Sequence, residues 1–121
     1  MEFLIVAAGG CLGAISRYAV SKLTGHYSSF PWATLLVNIG GSFLIGCFSA
    51  WSERFSSADY LRLFLTVGFL GAFTTFSAFS GETLLLFRSG FFITGFFNIA
   101  LNLIGSLTAV FGAFYITKFL I

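Results

Sequence analysis

Charged residues are what this sequence has least of. Only 8% of its 121 residues are Asp, Glu, Lys or Arg, whereas 58% are hydrophobic. A soluble domain usually carries about 25% charged residues, which cover its water-facing surface. The sequence has too few charges for such a surface, so its composition predicts a chain surrounded by lipid. The net charge of +2 is too small and too scattered to indicate nucleic-acid binding.

Proline, cysteine and histidine are also scarce, with 1, 2 and 1 residues respectively. Cys11 and Cys47 both fall inside apolar segments, so we expect two small buried thiols and no disulfide. The sequence shows no basic leader and no Ala-x-Ala site, and its apolar run begins directly after Glu2. We therefore expect a retained first helix. No nucleotide-binding motif is present, and we expect no enzymatic activity.

Four long apolar segments make up most of the chain. Polar or charged stretches separate them at 24–29, 53–59 and 88–90. Each segment reaches the roughly 20 residues that a helix needs to cross about 30 Å of hydrocarbon. Pro31 suits the first turn of a helix, and Trp32 suits the headgroup layer. We predict an all-α membrane protein with one four-helix transmembrane domain over 1–121 and spans at 3–23, 31–52, 60–87 and 91–118.

The positive charges give little instruction about orientation. One side of a four-span chain carries Arg54, Arg62 and Lys118, and the other carries Arg17, Lys22 and Arg88. Orientation follows the excess of Lys and Arg in short loops, so an even count predicts insertion both ways and an antiparallel homodimer. The alternative is a chain oriented by other signals. Small residues four apart favour close helix packing: Gly9 and Gly13, Gly10 and Ala14, Ser42 and Gly46.

Two polar stripes run through apolar segments. Each stripe has a four-residue spacing, which places its members on one helical face: Thr34, Asn38 and Ser42 in the second segment, and Asn98, Asn102 and Ser106 in the fourth. Such side chains in hydrocarbon need hydrogen-bond partners or water. They either join helices by hydrogen bonds or line a water-filled path, and two stripes beside a polar third segment favour the path.

The third segment combines helix-weakening residues near its middle. Gly68 and Gly71 loosen the helix, and hydroxyl side chains compete with its backbone hydrogen bonds: Thr74, Thr75, Ser77 and Ser80. We predict an interrupted helix, whose freed carbonyls are tolerated only in protein or beside a cavity. Such carbonyls suit a hard cation such as Na⁺, and two antiparallel chains would present them together. The alternative is a merely kinked helix.

Aromatic and charged residues accompany this segment. Phe73, Phe76 and Phe79 lie among the hydroxyl residues, and ring edges turned inward would favour an anion, although most such rings face lipid. Glu82 lies inside the span, where a carboxylate indicates function unless it is paired with a donor. Arg17 lies near a helix end, where an anchoring role is expected.

Three motifs together resemble the CrcB/Fluc family of fluoride channels over almost the full chain. They are the Gly-Gly-Cys-Leu-Gly-Ala-Ile-Ser-Arg-Tyr run at 9–18, the Thr-Leu-Leu-Val-Asn-Ile-Gly-Gly-Ser-Phe run at 34–43, and the Gly-Phe-Leu-Gly-Ala-Phe-Thr-Thr-Phe-Ser-Ala-Phe-Ser run at 68–80. The resemblance implies an antiparallel, dual-topology dimer in the cell inner membrane. Each dimer would have two fluoride pores and would lower cytoplasmic fluoride by passive export, giving fluoride resistance.

The resemblance also implies roles for individual residues. Asn38 resembles the pore asparagine, and Phe76 and Phe79 resemble the paired pore phenylalanines. Gly71 and Thr74 resemble the residues whose backbone carbonyls hold a structural Na⁺ at the dimer interface. The positions of Thr34, Thr75, Ser77 and Glu82 match the polar path less closely. The fourth segment departs from the family, which often has tyrosine and serine where this chain has Asn98, Asn102 and Ser106.

Two rival functions remain open at this point. Small proton-coupled multidrug-resistance transporters are also four-span, dual-topology dimers of this length. Their chemistry needs a carboxylate deep in the first helix, whereas the acid in this region is Glu2, at its extreme start. A non-transporting membrane assembly factor is the other alternative, but it has no need for aligned polar stripes beside an interrupted helix.

Overall fold

The computed structural model describes residues 1–25, 29–56 and 59–121, and every regular element within them is helical. His26, Tyr27 and Ser28 of the first predicted link and Ser57 and Ala58 of the second lie outside the described residues. Four helices of this described part are long and apolar enough to cross a membrane: Glu2–Thr24, Trp32–Phe55, Asp59–Arg88 and Phe92–Leu120. The prediction of an all-helical chain with four such helices is therefore confirmed.

Two of these helices are single α-helices that precede the third span: α1 (Glu2–Thr24) and α2 (Trp32–Phe55). The third span consists of α3 (Asp59–Arg62), a π-helix (Leu63–Leu70), α4 (Gly71–Phe73) and α5 (Phe76–Arg88). A single α-helix, α6 (Phe92–Leu120), follows it. Large apolar side chains cover much of the outer surface, as expected for contact with lipid.

Extended backbone separates α4 from α5. Thr74 has φ −80° and ψ 157°, and Thr75 has φ −154° and ψ 120°. Both threonines use their hydroxyls on nearby backbone. Thr74 Oγ1 donates to the Leu70 carbonyl at 2.9 Å, and Thr75 Oγ1 accepts from the Ala78 N–H at 3.1 Å, which caps the start of α5. The hydroxyl groups of Thr74 and Thr75 thus take part in the hydrogen bonding where α4 ends and α5 begins.

The π-helix packs against α1 with almost no side chain between the two backbones. A Cβ at Gly9 would lie 2.9 Å from the Phe69 nitrogen and 3.1 Å from Gly68 Cα, and a Cβ at Gly13 would collide with the Phe69 carbonyl. Only glycine permits this approach. The prediction that Gly9 and Gly13 form a close packing face is therefore confirmed.

The second long seam joins α2 to α6, and α5 also packs on α6. Gly46 permits the close approach of α2, since a Cβ there would collide with the Val110 carbonyl. This seam turns the polar faces of α2 and α6 towards each other and towards the extended residues of the third span.

The two cysteines are both free thiols. Cys47 is half-buried, but Cys11 is exposed, so the expectation of a buried Cys11 is wrong. The reason is helical geometry, because α1 packs through Gly9 and Gly13 and a residue two positions along from Gly9 points to the opposite side.

Candidate functional site

A cleft of about 320 Å³, which contains polar side chains but exposes mostly apolar surface, lies between α2, α6 and the extended residues of the third span. We name it the Asn38 cleft. Its described lining includes amide, hydroxyl and aromatic groups but no Asp, Glu, Lys or Arg: Asn38, Ser42, Ile45, Thr74, Thr75, Phe76, Phe79, Asn102, Leu103, Ser106 and Leu107. Parts of both polar stripes and the predicted phenylalanines therefore meet in one place.

Asn38 ties α2 to the extended backbone of the third span. Its Oδ1 accepts from the Thr75 N–H at 2.8 Å, and its Nδ2 donates to the Thr75 carbonyl at 3.1 Å. The same Nδ2 donates to Asn102 Oδ1 at 2.9 Å. The carboxamide thus takes both backbone groups of Thr75, which an intact helix would otherwise bond internally. Sequence reasoning placed Asn38 beside the interruption but did not foresee this pairing.

The two asparagines of α6 lie deeper than Asn38. Asn98 is fully buried, with 0% of its surface exposed, and Asn102 is 4% exposed. Asn102 Nδ2 donates to both the carbonyl and the side-chain oxygen of Asn98, at 3.0 Å each. Asn98 Nδ2 donates to Thr83 Oγ1 at 3.0 Å, and Thr83 Oγ1 donates to the Phe79 carbonyl at 2.8 Å. Asn98 is not among the residues that line the Asn38 cleft.

Phe76 and Phe79 form an aromatic pair in the first turn of α5. Their ring centroids lie 5.3 Å apart with an interplanar angle of 66°, so an edge of one ring meets the face of the other. Phe79 is 7% exposed, whereas Phe76 is 72% exposed at the mouth of the Asn38 cleft.

A second polar cleft, of about 280 Å³, lies between α1, α2 and α5. We name it the Glu82 cleft, and the predicted residues among its lining are Arg17, Thr34, Thr75 and Glu82. Thr34 Oγ1 donates to Glu82 Oε1 at 2.6 Å, whereas Glu82 Oε2 is buried and has no hydrogen-bond partner among the described residues. Arg17 is half-buried in this cleft, and no salt bridge within the described part of the chain joins it to Glu82.

Thr75 lines both clefts, and Glu82 also lines a wider recess of about 540 Å³ between α5 and the residues around Pro31. The three spaces therefore follow one another from the helix ends towards the middle of the third span. Ser77 lies exposed beside this route, with its Oγ 3.3 Å from Thr75 Oγ1.

The extended residues also release two backbone carbonyls. In an uninterrupted α-helix, the Thr75 N–H would bond the Gly71 carbonyl, and the Ala78 N–H would bond the Thr74 carbonyl. Instead the Thr75 N–H donates to Asn38, and the Ala78 N–H donates to Thr75 Oγ1. Carbonyl oxygens are ligands that hard cations prefer, so the predicted donors at Gly71 and Thr74 fit a cation such as Na⁺.

Comparison with known proteins assigns the chain to a family. The sequence pattern of the family described as CrcB-like protein, Camphor Resistance (CrcB), matches residues 4–114. The chain belongs to the CrcB family. This agrees with the resemblance noted in its motifs, and the match extends over almost the full length of the chain.

Relatives of this CrcB chain carry one common name. It is 48% identical over 122 residues to the fluoride-specific ion channel FluC of Dehalococcoides mccartyi, covering 98% of this chain and 94% of that protein. It is 46% identical to the FluC proteins of Elusimicrobium minutum and Legionella pneumophila strain Lens, covering 99% and 98% of this chain and 96% and 91% of theirs. These names describe ion channels, a class that is not enzymatic.

The structure of this CrcB chain brings one further residue into the site. Thr83 was not predicted, yet it is 8% exposed and bonded to both Asn98 and the turn that carries Phe79. Its spacing of four residues from Phe79 placed it on the same helical face, which is the signal that could have identified it.

Proposed function

We propose that this protein is a fluoride-selective channel that lowers cytoplasmic fluoride by passive export across the cell inner membrane. The observation that carries the proposal is the Asn38 cleft, where neutral hydrogen-bond donors and an aromatic pair meet beside extended backbone. Its support from comparison is that close relatives are named fluoride-specific ion channel.

Neutral donors suit fluoride chemically. Fluoride is small and strongly hydrated, so a pore has to replace its water with hydrogen-bond donors. Ser42 and Ser106 bring hydroxyl groups to the Asn38 cleft without a fixed charge among its described lining residues. Both N–H groups of the Asn38 amide are donated to Thr75 and Asn102, so Asn38 would exchange one of these bonds for a bond to the ion. A lysine or arginine there would attract anions but also hold them, whereas conduction needs weak enough binding for release.

The aromatic pair supplies a second kind of contact. Aromatic rings carry a positive edge, and such an edge attracts an anion without a hydrogen bond. Phe76 and Phe79 lie edge to face with an interplanar angle of 66°, so one ring of this turn is already directed by its edge towards a neighbouring group. We propose that an anion in the Asn38 cleft meets a ring edge at this turn.

The Glu82 cleft provides the outer part of the same path. Thr75 lines both clefts, so the two clefts adjoin at this residue, and we propose that an ion passes it on the way from Glu82 to Asn38. Thr34 donates to Glu82, which orients this carboxyl, and Arg17 contributes positive charge from α1 to the cleft. We extend the anchoring role expected for Arg17 to the attraction of anions into the path.

The proposed assembly is an antiparallel homodimer with two pores. The Asn38 cleft opens beside the exposed ring of Phe76, and the hydroxyl and amide groups within its mostly apolar surface would be unfavourable in hydrocarbon unless another surface covers them. A second copy of the chain would supply that surface. The balanced positive charges at the two membrane faces favour insertion in both orientations, and this makes the antiparallel arrangement available.

A structural Na⁺ between the two copies is the proposed cofactor. Two released carbonyls per chain, at Gly71 and Thr74, are too few for a hard cation, which commonly takes about six oxygen ligands. The same pair from an antiparallel partner would bring the number of carbonyls to four, closer to this number than one chain alone can supply. When bound, the ion would supply positive charge and join the two interruptions, while the chain's own carbonyls hold it.

Passive transport is sufficient for export. Hydrogen fluoride is neutral and crosses bilayers from acidic surroundings, and it then ionises inside the cell. A negative-inside membrane potential favours exit of the anion by about 2.3 kcal/mol per 100 mV. The test is release of fluoride from liposomes that contain the purified protein and no proton gradient, measured with a fluoride electrode. A requirement for a proton gradient would instead support the multidrug-type transporter, although Glu2 is exposed at the first residue of α1.

A further inference from the structure

A single chain of hydrogen bonds begins and ends on the third span. The Thr75 N–H donates to Asn38 Oδ1 at 2.8 Å, and Asn38 Nδ2 donates to Asn102 Oδ1 at 2.9 Å. Asn102 Nδ2 then donates to Asn98 Oδ1 at 3.0 Å. Asn98 Nδ2 donates to Thr83 Oγ1 at 3.0 Å, and the Thr83 hydroxyl donates to the Phe79 carbonyl at 2.8 Å.

The two ends of this chain lie four residues apart and enclose one turn of helix. That turn carries Phe76 and Phe79, and its first backbone N–H groups follow the extended residues directly. The chain leaves the third span at Thr75, crosses α2 and α6, and returns at Phe79. It therefore ties this turn to two other helices, in addition to the bonds that the turn makes within α5.

Every link donates in the same direction, from Thr75 towards Phe79. Hydrogen bonds aligned in this way polarise and strengthen one another in a low-dielectric interior. The links beyond Asn38 are also well shielded, since Asn98 is 0%, Asn102 4% and Thr83 8% exposed. Loss of one link would leave a buried donor or acceptor unsatisfied, so the arrangement of the whole chain depends on each member.

We propose that Asn98 and Thr83 are positioning residues, which act through this chain to set the orientation of the Asn38 amide and the turn of Phe76 and Phe79. The inference rests on the proposed function, because the turn matters only if it faces the conducted ion. It changes the role predicted for Asn98 from pore lining to support behind the pore. Asn102 has both duties, since it lines the Asn38 cleft and links Asn38 to Asn98.

Thr83 offers a matched pair of test variants. Thr83→Val keeps the side-chain shape and removes the hydroxyl, whereas Thr83→Ser keeps the hydroxyl and removes a methyl group. Loss of one net hydrogen bond corresponds to about a fivefold effect. We expect Thr83→Val to lower fluoride release from liposomes about fivefold and Thr83→Ser to remain near the wild type. If the valine variant does not assemble, Thr83→Ala takes its place in the same comparison.

The control is the same substitution at a threonine that takes no part in this series of hydrogen bonds. Thr108 lies on α6 and is exposed. It follows Ser106 by two residues, so its side chain lies on nearly the opposite face of the helix. We expect Thr108→Val to conduct within about twofold of the wild type. Equal fluxes in Thr83→Val and the wild type, or equal impairment in Thr83→Val and Thr83→Ser, would overturn the proposal.

A double-mutant cycle separates action through the chain from a local effect. Asn102→Ala cuts the chain between Asn38 and Thr83, so adding Thr83→Val should then lower flux less than the product of the two single effects. Independent effects that multiply would contradict the proposal.

A second readout keeps this inference distinct from the proposed function. Amide hydrogen exchange at Thr75, measured by NMR in detergent micelles, should be faster in Thr83→Val than in Thr83→Ser, because the valine variant loses the hydrogen bonds at the Thr83 end of the series. Identical exchange in the two variants would overturn the inference. If the wild type releases no fluoride, the proposed function fails. The exchange comparison still decides whether the hydrogen bonds of Thr83 stabilise the position of Thr75.

Discussion

Replacing Asn38 by aspartate separates a pore residue from a residue that only joins helices. The new carboxylate could still accept from the Thr75 N–H, as Asn38 Oδ1 does at 2.8 Å. It could not donate to the Thr75 carbonyl or to Asn102 Oδ1, which the present Nδ2 reaches at 3.1 and 2.9 Å. Asn38→Ala removes all three hydrogen bonds without adding a charge, so it is the matched comparison.

The two variants differ in magnitude if fluoride passes this residue. Both variants lose the two hydrogen bonds that Nδ2 donates to Thr75 and Asn102, which costs the local arrangement about 2 kcal/mol, and we expect both to conduct less for this reason. A carboxylate about 4 Å from the anion adds about 4 kcal/mol of repulsion at an effective dielectric constant of 20, which corresponds to about 10³-fold. We therefore expect Asn38→Asp to conduct far less than Asn38→Ala, and both to conduct less than the wild type.

Fluoride release from liposomes measures this order directly. Size-exclusion chromatography of each variant shows whether the assembly is retained, and only variants that elute with the wild type are compared. If Asn38 only joins helices, Asn38→Asp keeps one hydrogen bond that Asn38→Ala loses and should conduct at least as well. Flux in Asn38→Asp that equals or exceeds flux in Asn38→Ala would refute the reasoning.

Three further predictions concern the rings, the glycine seam and the cation. Phe76→Ile and Phe79→Ile should each lower fluoride flux about tenfold through loss of the ring edge. Phe111→Ile is the control and should conduct normally, because the Phe111 ring lies on the outer surface and is 61% exposed. Unchanged flux in the first two variants would show that the rings do not contribute to the path. Gly13→Ala should destabilise the protein by about 1 to 3 kcal/mol in thermal unfolding, because the added Cβ would collide with the Phe69 carbonyl. Gly112→Ala is the control, since open space surrounds Gly112. Equal midpoints of thermal unfolding in the two variants would contradict the close packing of α1 on the π-helix. Replacing Na⁺ by N-methylglucamine should weaken the dimer, and identical dimer stability in both media would argue against the cation.

The architecture followed from simple features of the sequence. Long apolar segments separated by short charged stretches sufficed to predict four membrane helices, since hydrocarbon thickness fixes the length of a span. The spacing of four residues placed Asn38 and Asn102 on inward faces, and the two side chains indeed bond to each other. These two signals, the length of the apolar segments and the spacing of their polar residues, can be read in any helical membrane protein.

Other features depend on contacts that periodicity does not encode. A stripe of asparagines reads the same whether it faces a cavity or another helix, so the sequence could not show that Asn98 is buried behind Asn102. The π-helix at Leu63–Leu70 is almost wholly apolar, and its side chains do not predict a change in backbone hydrogen bonding. The hydrogen bond from the Gly71 N–H to the Thr66 carbonyl is seen only in the structure. Thr83 shares a helical face with Phe79, but this spacing alone does not show its bonds to Asn98 and to the Phe79 carbonyl.

The central claim is that neutral donors and ring edges conduct fluoride and reject other halides. The most direct measurement follows fluoride and chloride release from the same protein-containing liposomes with ion-selective electrodes, at equal internal and external pH. The account predicts rapid fluoride release with chloride retained. Rapid chloride leak, or no fluoride release above that of protein-free liposomes, would contradict it.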